Sequence, residues 1–384
     1  MHWYAEQQGI PPEEITVLDP FAGSGTTVLV AERMGMPAYG IEAHPVLLRI
    51  AQTKLLWDTE PEKFRDFSGK ILRCVKNENS EMKEYPREIH TLYTKDILSR
   101  LNALRCAWEK LDDETPESHL AWLAITEILH YASSKRRDSP ETPLHDKTGT
   151  LQKNPRDLFL AQVNRMLEDM TVFQGTAKKT GKIFLGDSRF DTQISDNTIS
   201  LVITAPPFLN NFDYASASLR ESGFWGIHDN EGNLQEKLRK DLVRTFTRRV
   251  SSETEEKERY LETLKNTPIS GEIKKIAELL EEKRKSSSDK KYYHVMMPAY
   301  FSDLFCVWKN LRRMCKEDCT IAFVISDSAH HGVHIPTEEW MGKLAMASGF
   351  KEYHFVKTRT QNTQWIPEKE KDPVPLREGI LWVR

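Results

Sequence analysis

Long apolar runs are missing from this sequence. None approaches the roughly 18 residues that a membrane-spanning helix needs, so no membrane contact is expected. The leading Met1-His2-Trp3-Tyr4 lacks a basic region followed by an apolar stretch, so no secretory signal is expected either. Cysteine is scarce and odd in number: Cys74, Cys106, Cys306, Cys315 and Cys319. Cys315 and Cys319 are spaced CxxxC, but no second ligand pair follows at zinc-finger distance, and His330, His331 and His334 only come nearest. Free or buried thiols in a reducing cytoplasm are expected, with no metal. An excess of one charge is also missing. With 54 Lys and Arg against 57 Asp and Glu, the net charge of −3 supplies no overall basic field for nucleic acid. Repeats are absent, and low complexity is confined to Ser286-Ser287-Ser288.

Charge is instead patterned locally. Residues 132–189 hold eleven Lys and Arg against seven Asp and Glu, including Lys135-Arg136-Arg137 and Lys178-Lys179. Residues 227–295 hold sixteen against fourteen, which reads as a solvated helical surface. The composition, 39% hydrophobic and 29% charged over 384 residues, suits one large domain with insertions or two domains.

The order of elements narrows this. Ile15–Asp19 reads as a buried strand, Thr26–Met34 as a helix stopped by Gly35, Ala38–Glu42 as a strand, and Val46–Trp57 as a helix. This is the start of a parallel sheet covered by helices. Residues 58–180 then turn mostly helical, as in Ile97–Leu111 and Leu120–Tyr131. Strands return at Lys182–Asp187 and Ser200–Ala205, a charged helical stretch covers about 230–286, and a final α/β section adds strands at Thr320–Ser326, Lys351–Lys357 and Gly379–Arg384. The expected fold is α/β: a doubly wound, mostly parallel seven-stranded sheet with two helical insertions. Its core would be 1–57, 182–226 and 295–384, interrupted by insertions 58–181 and 227–294.

Two short stretches carry chemistry. The first, Leu18-Asp19-Pro20-Phe21-Ala22-Gly23-Ser24-Gly25-Thr26-Thr27, follows a strand and opens a helix. Gly23 and Gly25 permit close backbone approach, and the helix start offers unpaired N–H groups to an anion. It lacks the Gly-Lys-Ser/Thr ending of a P-loop and is not G-x-G-x-x-G. Seventeen residues past Gly25, Glu42 ends the second strand, where a carboxylate can accept both hydroxyls of a ribose. A plain glycine turn with a surface glutamate is the bland alternative. The second stretch is Thr204-Ala205-Pro206-Pro207-Phe208, at the tip of a buried strand. Two prolines forbid an ordinary continuation and hold an aromatic on a stiff turn.

Asp19 to Thr27 resembles the S-adenosylmethionine loop of DNA amino-methyltransferases, which act on adenine N6 or cytosine N4. Thr204–Phe208 looks like their catalytic tetrapeptide, Asp/Asn/Ser-Pro-Pro-Tyr/Phe, and the flanking 209–214 and 376–381 look like bacterial members. The resemblance covers the sheet and not the insertions. It implies S-adenosylmethionine as cofactor, held by Asp19, Pro20, Phe21, Gly23, Ser24, Gly25, Thr26 and Glu42. Asp187 after the third strand would lie beside the adenine, with a strand-end turn as the plain alternative. It further implies DNA as partner, or RNA as the alternative, and restriction-modification or defence partners. An exocyclic amine is a weak nucleophile until hydrogen-bond acceptors localise its lone pair. In the family these are the first side chain of the tetrapeptide and the first proline's carbonyl, here Pro206, with Pro207 fixing its direction. Phe208 would stack on a base flipped from the duplex.

Ala205 departs from the pattern, because alanine has no acceptor. Three readings stay open: an engineered replacement of Ser or Asp, a natural residue in a protein that binds without methylating, or an acceptor supplied by Asp213 or Asn211. Its kinship with the Ser form points to cytosine N4, and adenine N6 stays open. Family members usually carry a further segment before the glycine loop that closes over the methionine end of the cofactor, and only 18 residues precede Asp19 here. A shortened chain, Trp3 and Tyr4 in that role, or a more open pocket are the three readings. Asp327 reads as structural. Lys357 and Arg359 are candidate phosphate contacts, with plain exposed charge as the equal alternative. The insertion 58–181, for its basic part, is the candidate target-recognition unit, with a helical cap over the sheet as the alternative.

Overall fold

The computed structural model describes residues 1–77, 81–133, 135–136, 145–146, 153–175, 180–190, 192–209, 213, 218–227, 242–247, 254–288, 290–360 and 375–384. Arg137, Lys178, Lys179 and Asn211 lie outside these residues. Seven strands form one sheet: β1 Val17–Asp19, β2 Ala38–Glu42, β3 Gly181–Leu185, β4 Ile199–Thr204, β5 Cys315–Ser326, β6 Tyr353–Thr360 and β7 Arg377–Val383. Their order is β6-β7-β5-β4-β1-β2-β3, and only β7 runs against its neighbours. The sheet is therefore doubly wound and mostly parallel, as expected.

This order decides where a ligand can sit. From β1 the chain moves outward through β2 to β3, then returns past β1 to β4 and β5. A crevice opens where the order reverses, at the carboxyl ends of β1 and β4. Register places Val17 beside both Ala38 and Leu201, so the ends of β2, β1 and β4 lie along one edge. The glycine loop, Glu42, Asp187 and Ala205 all follow parallel strands and emerge at that edge.

The near helices are α1 His2–Gln8, α2 Thr26–Arg33 and α3 Pro45–Lys54. Val28, Ala31, Ala51 and Leu55 of α2, α3 and the turn after α3 are buried with Val17, Ala38 and Ile183 of the sheet. The first insertion contains α4 Pro61–Asn77, α5 Arg87–Leu92, α6 Lys95–Leu111, α7 Pro116–Ala132 and α8 Pro155–Phe173. Thr94, Thr115 and Asn154 cap α6, α7 and α8, with Pro116 and Pro155 at first helical positions, a strong local start signal. These helices bury their own core, with Phe64, Trp122 and Phe159 fully enclosed. The insertion's return is pinned by buried Glu32, whose carboxylate accepts the backbone N–H of Thr180 (3.0 Å) and Gly181 (2.6 Å) and the Trp57 indole N–H (2.7 Å).

A short helix, α9 Leu219–Trp225, follows β4, and then come α10 Thr254–Leu264, α11 Ser270–Ser286, α12 Tyr293–Met314 and α13 Thr337–Ala347. The charged stretch is more than a solvated surface. Ile273, Ala277 and Leu280 form an inner stripe on α11, buried in the same cluster as Trp308 of α12 and Phe323 of β5. Two boundaries differ most from expectation. Helix α12 begins eight residues before Phe301 with Pro298 in its second turn, and β5 begins at Cys315 because α12 runs directly into it.

Candidate active site

The glycine loop is built around a buried carboxylate. Asp19 is 5% exposed; its Oδ1 accepts the Phe21 N–H (3.0 Å) and the Thr204 hydroxyl (2.7 Å), so it ties the loop to the strand carrying the second motif. Burial pushes the Asp19 carboxyl up, against the pull of these donors. Gly25 has φ +80°, and a Cβ there would lie 2.9 Å from Ala51 Cβ and 3.0 Å from Ile183 Cδ1. Conformation and space both require glycine. Gly23 has φ +54° and no crowding, and its N–H donates to Glu42 Oε2 at 2.7 Å. Ser24 faces Lys54, whose Nζ donates to its carbonyl (2.9 Å) and hydroxyl (3.4 Å), while Thr26 opens α2 exposed to solvent.

Glu42 is 7% exposed, and its second oxygen accepts the His44 N–H at 2.7 Å. Each carboxylate oxygen thus holds one backbone donor and keeps a lone pair for a ligand hydroxyl. Burial raises its pKa to about 7, opposed by the His44 and Gly23 N–H groups. The His44 ring accepts the Val46 N–H on Nδ1 (3.2 Å), so Nε2 carries the proton and faces the Ser218 hydroxyl. Burial lowers its pKa to about 4, which keeps the ring neutral. His44 therefore links the end of β2 to the start of α9, beyond the Pro-Pro motif. Motif reasoning passed over His44; a histidine just before a helix-opening Pro45 is a local N-cap signal that marks it.

Asp187 is gripped by Arg189, whose Nε lies 3.0 Å from both carboxylate oxygens. The Ser188 hydroxyl donates to the Pro20 carbonyl, and the Gly186 N–H to the Glu42 carbonyl (3.1 Å).

The tip of β4 is rigid. Ala205 is exposed, Pro206 buried, and Pro207 and Phe208 half-buried. The Pro207 carbonyl accepts the Tyr300 hydroxyl (3.1 Å); the Leu209 carbonyl accepts the Ser328 hydroxyl (2.6 Å) and faces His330 Nε2 (3.2 Å). Beyond the motif, α9 is docked on the first insertion. The Arg105 guanidinium donates to the Phe224 and Trp225 carbonyls, and the Trp225 indole N–H reaches Thr126 Oγ1 at 2.9 Å.

These parts meet in a cavity of about 180 Å³. Pro20, Phe21, Gly23, Glu42, Asp187, Ala205 and Pro207 line it, joined by Leu47, Leu242 and Val243, which motif reasoning missed. Asp19, Ser24, Gly25, Thr26, Pro206 and Phe208 lie around it rather than in its wall. A larger cleft of about 570 Å³ between α4 and α6 is remote from these residues. Its Lys83 and Glu109 pair with each other at 2.5 Å, and it gathers none of the motif residues, so the smaller cavity is the candidate site.

Other candidates fall elsewhere. The Tyr4 hydroxyl donates to the Ser200 carbonyl (3.1 Å), at the start of β4, and Trp3 packs edge-on to Trp382 (6.1 Å). Both sit at the sheet edge opposite the cavity, so neither closes over it. Asp327 is buried against Arg377 (3.0 Å), the structural role expected of it. Arg359 is paired with Glu378 (2.8 Å), and Lys357 is exposed.

Residues 10–53 match the DNA methylase family model for N6- and N4-type enzymes. The chain is 24% identical over 416 residues to the type II methyltransferase M.BsoBI of Geobacillus stearothermophilus, covering 96% of this chain and 79% of that protein. No solved structure matches. The matched segment contains the glycine loop and Glu42, and the similarity to that type II methyltransferase runs along nearly the whole chain.

Proposed function

We propose that this chain, a methyltransferase by its similarities, methylates an exocyclic base amine in DNA, favouring cytosine N4, with S-adenosylmethionine as donor. One observation carries this reading: residues of the glycine loop, Glu42, and Ala205 and Pro207 of the β4 tip line one cavity at the switch point of the sheet. The donor set fits the cofactor. Glu42 keeps acceptor capacity for ribose hydroxyls, the loop presents backbone at close range, and Phe21 and Leu47 offer apolar wall. When bound, the cofactor supplies an electrophilic sulfonium methyl.

The chain's own part is to localise the amine lone pair. Among the described residues no donor takes up the Pro206 carbonyl, while the Pro207 carbonyl is held by Tyr300. Pro206 thus keeps an acceptor for an amine N–H, on a turn that the prolines and Tyr300 hold still. Phe208 supplies a ring for the extruded base. The first insertion, which has its own core and holds α9, is the proposed target-recognition unit. A type II methyltransferase relative makes a restriction-modification setting the proposed context. Ala205 supports a second reading, a silent cofactor- and DNA-binding subunit, because the family acceptor is missing there.

Radiolabelled methyl transfer to genomic DNA from a host lacking the modification, followed by nucleoside mass spectrometry, tests the reading. N4-methylcytosine is expected. N6-methyladenine would replace the base alone, and label appearing only in RNA would replace the substrate. Bound cofactor without label, in this chain and in Ala205→Ser, would establish the silent subunit.

A further inference from the structure

Leu242 and Val243 come from the second insertion, yet they line the cavity beside Asp187 and Glu42. Val243 is 5% exposed and shares a cluster with Leu18 and Ile41 of the sheet. Thr245 and Thr247 are buried too, so residues 242–247 are packed into the molecule. A chain of alternating charges fixes the segment. The Arg244 N–H donates to Asp303 Oδ2 (3.0 Å), and its guanidinium reaches Asp303 Oδ1 (2.5 Å) and lies 5.0 Å over the Tyr260 ring. Asp303, on α12, also accepts from Arg189 (3.1 Å), and Arg189 grips Asp187 at the cavity wall.

The chain Asp187–Arg189–Asp303–Arg244 has two carboxylates and two guanidiniums, so its formal charge balances. Buried pairs of this kind are weak sources of net stability and stronger sources of a single geometry. Here the geometry sets the distance between an apolar strap and a polar wall. Glu42 and the loop N–H groups serve hydroxyls and charge, and Leu242 and Val243 offer the apolar surface that one face of a purine takes.

We propose that residues 242–247 form the base-facing wall of the cavity, with Leu242 and Val243 against the purine of a bound nucleoside and Arg244 as the positioning residue that holds them there. The proposal rests on the nucleoside-cofactor reading above and deepens it: the second insertion becomes part of the cofactor site.

Hydrogen exchange with and without S-adenosylhomocysteine, joined to titration calorimetry, tests it. The ligand is expected to slow amide exchange at 242–247 as well as at 20–25. Leu242→Ala with Val243→Ala is expected to weaken S-adenosylhomocysteine and adenosine in parallel, each about tenfold, since both carry the purine. Arg244→Ala is expected to act in the same direction, and combining all three changes should weaken binding less than the separate losses multiplied. Protection at 20–25 with none at 242–247 overturns the proposal and leaves the cofactor reading intact. So does unchanged affinity in the double variant. An unaltered chain that binds no S-adenosylhomocysteine and protects neither segment overturns both. The exchange measurement needs no substitution, so a variant that fails to fold does not obscure the result.

Discussion

Glu42 gathers most of the site's electrostatics. Its folded pKa of about 7 lies above the ordinary glutamate value near 4.5, because burial disfavours the charged form. Between these values the folded state holds a proton that the unfolded chain has released. The contribution of this group to stability therefore falls as pH rises from about 4.5 to 7, and is level above. Ligand hydroxyls favour the ionised form, so affinity for S-adenosylhomocysteine should rise from pH 6 to pH 8 with proton release. His44, with a pKa of about 4, stays neutral throughout that window. Glu42→Ala should cost about 1–3 kcal/mol of binding, and Glu42→Gln should flatten the pH dependence. Calorimetry in buffers of different ionisation enthalpy reads both, and a pH-dependent Gln variant would remove Glu42 from the site. Ala205 is the other decisive residue. One acceptor made mainly in the transition state is worth about 1–3 kcal/mol, so Ala205→Ser should raise methyl transfer roughly ten- to a hundredfold with cofactor affinity little changed. An unchanged rate would mean that a neighbour already supplies the acceptor.

The loop-to-helix junction depends on two glycines for different reasons. Gly23 needs glycine for its φ of +54° alone, while Gly25 needs it for φ +80° and for the space that Ala51 and Ile183 leave. Gly23→Ala should therefore cost about 1–2 kcal/mol of stability, and Gly25→Ala about 2–4 kcal/mol, adding overpacking to backbone strain. Denaturant unfolding separates them, and equal losses would show that crowding at Gly25 relaxes without cost. The β4 tip is held from both sides. Tyr300 and Ser328 fix it from the sheet domain, and α9 is held by Arg105 and Thr126 of the first insertion. Ser218, just before α9, faces His44 in the cavity wall, so α9 joins the insertion to the cavity.

For the whole molecule, a net charge of −3 means that the proposed DNA binding would rest on local surfaces. If the basic stretch of the first insertion contacts phosphates, log K should fall linearly with log salt, and charge reversal at Lys135, Arg136 and Arg137 should flatten the slope by nearly three units. Duplex binding that ignores salt, or a slope that survives the reversal, would place the contact elsewhere. The insertion's separate core allows its surface to diverge without disturbing the sheet, since most of its buried side chains pack on one another.

The sequence by itself determined the sheet and the two motifs. Strands and helices follow from local periodicity and from punctuation such as Gly25, Pro45 and Pro116, and each of these signals lies within a few residues. That the sheet is mostly parallel was also legible, because strand-helix-strand units favour parallel neighbours, whereas the strand order came only from the structure. Only the tertiary structure decided the pairings: Thr204 with Asp19, 185 positions apart, His44 with Ser218, 174 apart, and Arg244 with Asp303, 59 apart. A hydropathy pattern records whether a side chain is buried, not which partner satisfies it. Tyr4 shows the limit from the other direction. An aromatic near the loop in sequence suits a cofactor lid, yet the strand that separates them carries it to the opposite edge of the sheet. Val243 reaches the cavity from a stretch whose charges suggested only solvent, because a folded chain brings together residues that no local pattern relates.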